Sequence, residues 1–196
     1  MSNQETGILE RLAAASLENC LQRVTKVSGA VWQLAGIDIS RGTLASAVKL
    51  HDFSKDPSAA VVYINVTGGL PFTSLLFFNA GDVPHISKCF LEESLAQASG
   101  IPQFDEVMLL ELGNIMLNAV INYLQNALKK SAIPSVPMLL KGDCGHIAEG
   151  LGVYLDPRQS FRIVTSSITV RRDSRVSRGE VQAIISEELA AALERA

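Results

Sequence analysis

The run from Asp105 to Pro137, DEVMLLELGNIMLNAVINYLQNALKKSAIPSVP, restricts the fold more than any other part of the chain. Set at 100° per residue, Leu109, Leu110, Leu112, Ile115, Met116, Leu117, Val120, Ile121, Tyr123, Leu124 and Leu128 cover well over half of a helical circumference. A helix clothed in this way is mostly buried, so the chain needs a sheet or further helices to bury it. One narrow strip stays polar, and it carries Glu111, Asn114, Asn118, Asn122, Gln125 and Lys129 at spacings of three and four. That strip is an uneconomical solvated face. Asparagine costs up to about 0.7 kcal/mol relative to alanine inside a helix, yet Asn114, Asn118, Asn122 and Asn126 recur every four residues. Gly113 costs about 1 kcal/mol more, and it is expected to let another backbone or a partner protein come close.

The 196 residues are 47% apolar, enough for one substantial core. A net charge of −3 lacks the basic excess that nucleic acid or an anionic membrane would call for, so neither is expected as a partner. The amino terminus has no basic start followed by an unbroken apolar run, and no stretch reads as long enough to span a bilayer. Cys20, Cys89 and Cys144 are odd in number and far apart, which supports neither a disulfide framework nor a zinc pattern; a reduced, cytoplasmic setting is expected. His51, His85 and His146 are equally scattered. Asp143-Cys144-Gly145-His146 reads as an ordinary loop, since neighbours in sequence rarely form a catalytic triad.

Taken in order, residues 1–7 read as a flexible tail, and a helical period runs from Ile8 to Leu34, ending near Gly36. GIDISRGTLASAVKL reads as extended. AVVYINV (60–66) and TSLLFF (73–78) read as a hairpin around Gly68-Gly69, with no lysine-serine to make those glycines a phosphate loop. A helix is expected over about 84–98, closed by Gly100-Ile-Pro, and the long helix follows. Beyond Pro134 and Pro137, MLLKG, the stretch 146–155 and FRIVTSSITVR (161–171) read as extended, and a final helix is expected from about Ser177 to the end. Arg171, Arg172, Arg175 and Arg178 cluster before it; a solvated loop is one reading and a docking patch for an acidic partner the other.

The order helix, three extended segments, helix thus occurs twice, at an offset of roughly 95 residues. The expected architecture is α+β: a single domain, residues 8–196, made of two similar halves (about 8–100 and 101–196) related by a pseudo-two-fold. A central, mostly antiparallel sheet would pack against two long helices. Aligning the halves on their helix exits sets Ser16 opposite Glu111 and Asn19 opposite Asn114, so a degenerate second site would fall on Ser16 and Asn19. Glu18 with Gln22 has a spacing of four instead of three.

Glu111-Leu-Gly-Asn114, followed by small and apolar residues and then Pro137, resembles the E-x-x-N signature of the CheC/CheX/FliY phosphatases. The chain departs from that pattern at Val107, where the family prefers Asp or Ser. The resemblance implies a cytoplasmic chemotaxis enzyme, a hydrolase of two-component signalling that removes the phosphoryl group from the aspartate of a CheY-like response regulator. Glu111 would pair with a lysine of the regulator, and Asn114 would orient the attacking water. No cofactor of its own is implied, because the Mg2+ belongs to the phosphorylated partner. The alternative is a non-catalytic CheC-like binding module or adaptor that holds a receiver, a CheD-type deamidase or a flagellar switch partner. The alanine-rich terminal helix offers contacts for a homodimer.

Overall fold

A computed structural model describes residues 7–69, 71–90 and 103–196. The elements are α1 (Ile8–Val27), β1 (Val31–Gly42), α2 (Leu44–Val48), β2 (Ala59–Gly68), β3 (Phe72–Asn79), α3 (Val83–Phe90), α4 (Phe104–Leu128), β4 (Ala132–Pro134), β5 (Met138–Gly142), α5 (Cys144–Leu151), β6 (Phe161–Arg172), β7 (Arg175–Ser186) and α6 (Glu187–Leu193). The expected tail up to residue 6, the far half of the expected helix 84–98 and its Gly100-Ile-Pro exit lie outside the described residues.

The seven strands form one antiparallel sheet in the order β1-β6-β7-β3-β2-β4, with β5 also pairing with β2. The fold is therefore α+β, as the sequence implies. Both faces of the sheet are covered, which explains why β2 and β3 read as near-continuous apolar runs instead of alternating ones. One face carries α1, α3, α4 and α6 over a core that includes Leu17, Leu21, Val62, Leu76, Leu112, Met116 and Ile121. Among the described residues the other face carries α2 and α5, over a smaller core around Ala47, Tyr63, Phe77, Ile147 and Ile184.

Helix, strand, short helix, hairpin, helix occurs twice. The register is 100 rather than about 95: Gly42 precedes the cap Thr43 as Gly142 precedes the cap Asp143, and buried Leu17 and Leu21 match buried Leu117 and Ile121.

Several expected elements differ. The first helix ends at Val27, and Trp32 and Leu34 belong to β1, which pairs with β6 across the sheet. The extended reading of residues 36–50 holds only to Gly42, because the Thr43 side chain accepts from Ser46 N and starts α2. Residues 146–155 are not extended: Asp143 Oδ1 accepts from His146 N at 2.8 Å and opens α5. The stretch from Ser177 is strand up to Ser186, inserted between β6 and β3 and paired with both, and only Glu187–Leu193 is helical. The α4 helix, at 25 residues, does have the length and apolar character to cross a bilayer, contrary to the sequence reading; its apolar side lies against the sheet.

Candidate functional site

The α4 helix lies over the β5, β2, β3 side of the sheet, and Glu106 near its start accepts from Lys141 Nζ of β5 at 2.7 Å. Lys141 pairs with Ala60, Ala60 with Phe78, Phe78 with Gly179, and Gly179 with Ile168 beside Leu34. The amino end of α4 therefore sits at the same end of the sheet as the carboxyl end of α1, and the two long helices run side by side in opposite directions. Cys20 Sγ of α1 lies 3.9 Å from the carbonyl oxygen of Ile115 in α4.

What fixes the rotation of α4 is its glycine. Gly113 faces inward, and a Cβ built there would lie 2.3 Å from Cγ1 of Val62. The close approach that Gly113 permits is to the chain's own sheet, not to a partner. Leu109, Leu112, Met116, Leu117, Val120 and Ile121 share that buried side, so Glu111 and Asn114 are turned outward together, both exposed. At a separation of three residues their Cβ atoms are about 5–6 Å apart. Among the described residues Glu111 has no ion-pair partner.

Two of the remaining amides, Asn118 and Gln125, are engaged within the chain, while Asn122 and Asn126 are exposed. Asn118 Nδ2 donates to Asn114 Oδ1 at 2.7 Å and to the Asn114 carbonyl at 2.8 Å. Gln125 Nε2 donates to the Ala132 carbonyl at 3.0 Å and ties the helix exit to β4. Asn118 thus holds the Asn114 amide by its oxygen, and the Asn114 NH2 group makes no hydrogen bond among the described residues. The sequence reading named Asn118 only as part of a stripe; its i+4 spacing from Asn114 is the signal of this second role. Val107 and Ile115, one turn to either side of Glu111, are 52% and 41% exposed. The outward face therefore combines two apolar side chains, a free carboxylate and a positioned amide.

The other sequence candidates are placed differently. Ser16 is buried, and its hydroxyl donates to the Ala13 carbonyl at 2.8 Å, while Asn19 is exposed one residue from Cys20. In the register of 100 the residues opposite Glu111 and Asn114 are Arg11 and Ala14. Asp143, Cys144 and His146 form the capped first turn of α5, not a loop, with His146 exposed. Of the arginine cluster, Arg175 pairs with Asp82 at 2.8 Å and Arg172 donates to the Lys88 carbonyl, which fastens the β6–β7 hairpin onto α3. Gly68, the last residue of β2, sits at φ 89°, a conformation that favours glycine, and β2 pairs with β3 as the hairpin reading expects.

No family model matches the chain, and no curated protein matches it in sequence. Solved structures do match. FliY of Thermotoga maritima superposes with a TM-score of 0.70 at 11% identity, over 100% of this chain and 96% of that one. The FliM middle domain of Vibrio alginolyticus gives 0.62 at 11% identity, over 96% and 98%. A CheX–CheY–BeF3–Mg2+ complex from Borrelia burgdorferi gives 0.50 at 11% identity, over 93% and 100%. These matches show the fold: in fold, the chain groups with the CheC/CheX/FliY proteins.

Proposed function

We propose that the chain is a protein aspartyl-phosphate phosphatase acting on a CheY-like receiver. The observation that carries this reading is the joint exposure of Glu111 and Asn114 on an otherwise buried helix. The matching CheX structure holds CheY together with BeF3 and Mg2+, which supports a receiver as the partner. Phosphoryl transfer from an acyl phosphate depends on positioning and electrostatics more than on covalent help. The receiver supplies its own Mg2+. Asn114, held through Oδ1 by Asn118, orients a water in line with the P–O bond of the phosphoaspartate. The water oxygen bonds to phosphorus as that bond breaks, the water proton passes to a phosphate oxygen, and a free aspartate and inorganic phosphate leave. Glu111 grips a lysine of the receiver, and Val107 and Ile115 pack at its edge.

The test is the rate of phosphate release from a phosphorylated CheY-type receiver in Mg2+. Wild type accelerates it; Asn114→Ala lowers kcat by about 10²-fold, the order lost when one positioned donor is removed. Glu111→Ala acts mainly on KM, and Asn118→Ala lowers kcat while leaving KM in place. Binding of the receiver without acceleration would overturn the enzyme reading. It would leave the adaptor reading, which the shared fold with the FliM middle domain supports.

A further inference from the structure

The two outer edges of the sheet are built differently. In the register of 100, β1 matches the stretch 131–142, which forms β4, a kink and β5. Both edges carry an extra residue at the same place: Ala35 is unpaired between Leu34 and Gly36, and the stretch from Pro134 to Met138 is one residue longer than the stretch from Val66 to Tyr63 that it faces.

Backbone direction along β1 follows from one contact. Trp32 N–H donates to Thr25 Oγ1 at 2.9 Å, and the Thr25 hydroxyl donates to the Trp32 carbonyl at 3.3 Å. Trp32 therefore turns both backbone groups away from β6. Hydrogen-bonded and non-hydrogen-bonded pairs alternate along an antiparallel ladder. Leu34, Ile37, Ile39 and Arg41, opposite Ile168, Ser166, Val164 and Arg162, thus point the same way as Trp32, opposite Val170. Their N–H and C=O groups have no partner among the described residues. At the positions that match Leu34 and Ile37, the other edge carries Pro134 and Pro137, which have no N–H to offer. Proline at outward positions closes a sheet edge to further strands. The second half is guarded at the two places where the first half is left open.

The helix beside the open edge is complementary to itself. Thr25 lies on a stripe of α1 with Gln22, Glu18, Ala14 and Arg11. A groove of about 790 Å³ lies beside it, with Glu18, Gln22, Thr25, Trp32 and Leu34 in its walls. Arg11 and Glu18 are exposed and have no ion-pair partner among the described residues.

We infer that β1 pairs antiparallel with β1 of a second copy of this chain, about a two-fold axis at Ile37, so that two sheets become one. Ile37 meets Ile37 of the second copy, and Leu34 meets its Ile39, outward groups against outward groups. Ile37 lies four ladder steps beyond Trp32, about 13 Å. Because α1 runs back over β1, that distance corresponds to about nine helical residues before Thr25. The axis therefore passes between Arg11 and Glu18, and each Arg11 comes opposite the second copy's Glu18. Ala14 and Ala15 between them let the helices approach. The inference is independent of the phosphatase reading: β1 is the edge remote from α4, so Glu111 and Asn114 stay open in both copies.

The experiment is sedimentation equilibrium of the full chain over micromolar to submillimolar concentration. Wild type is expected to be a dimer. Ile37→Pro installs the residue that the other edge carries at an N–H not used by β6, and it should weaken the dimer about a hundredfold while circular dichroism stays native. Arg11→Glu should weaken it by about three- to tenfold, and adding Glu18→Arg should restore it. If Ile37→Pro does not fold, the charge exchange decides. The inference is overturned if wild type is monomeric throughout or grows beyond a dimer, if folded Ile37→Pro dimerises as wild type does, or if the double charge exchange fails to restore what Arg11→Glu removes.

Discussion

Gly113 shows how much one missing side chain decides. It occupies the only kind of residue that lets α4 settle onto Val62, a β-branched side chain buried in the middle of β2 with little freedom to move aside. Gly113→Ala would gain up to about 1 kcal/mol in helix propensity but overpack the sheet contact at a cost of about 1–3 kcal/mol. A lower urea midpoint is expected; an unchanged or higher one would show that α4 can shift without penalty. The same residue marks the limit of reading side chains from sequence. The spacing of Glu111 and Asn114 is legible, because a three-residue step puts two side chains on one face whatever surrounds them. The direction in which Gly113 points is not, because it depends on which side of the helix meets the sheet. The link from Asn118 to Asn114 stands between these cases, implied by spacing but settled by side-chain orientation.

At the level of elements, the strands 60–66 and 73–78 and the long helix follow from composition and period, whereas α5 and β7 do not. The first turn of α5 depends on the Asp143 cap, and its glycines at 145, 150 and 152 mask the helical period. VQAIIS in β7 is equally compatible with helix or strand, and pairing with β6 on one side and β3 on the other decides it. The α3 helix is fixed to the same hairpin by His85, whose Nδ1 lies 2.8 Å from Ser177 Oγ. Burial, and then the nearby Arg175, hold the His85 pKa below the ordinary histidine value of 6.5, with Asp82 opposing. The unfolded chain therefore takes up the proton at higher pH than the fold does. The stability due to neutral His85 is complete above about 6.5 and is lost as pH falls below it. Wild-type Tm is expected to drop between neutral pH and pH 5, and His85→Asn to drop less over that interval; equal slopes would exclude His85 as the source.

For the whole molecule, coverage of both sheet faces sets what solvent can reach. Cys20 of α1 and Cys89 of α3 are both buried, and desolvation raises both thiols, Cys89 to about 11. Cys144 is only half-buried. A thiol reagent at neutral pH is expected to label Cys144 in the native chain and all three cysteines in denaturant; fast native labelling of Cys89 would mean that α3 opens readily. By itself the sequence determined the long apolar helix, its outward Glu111 and Asn114, the central hairpin and a repeated order of elements, because these rest on local periodicity and on residues a few positions apart. Only the tertiary structure decided the inward turn of Gly113, the strand state of β7, the true register of the two halves and the meeting of His51 with Glu180. Each of these joins residues far apart in the chain, and their contacts form only when α4 and both short helices close over a completed sheet.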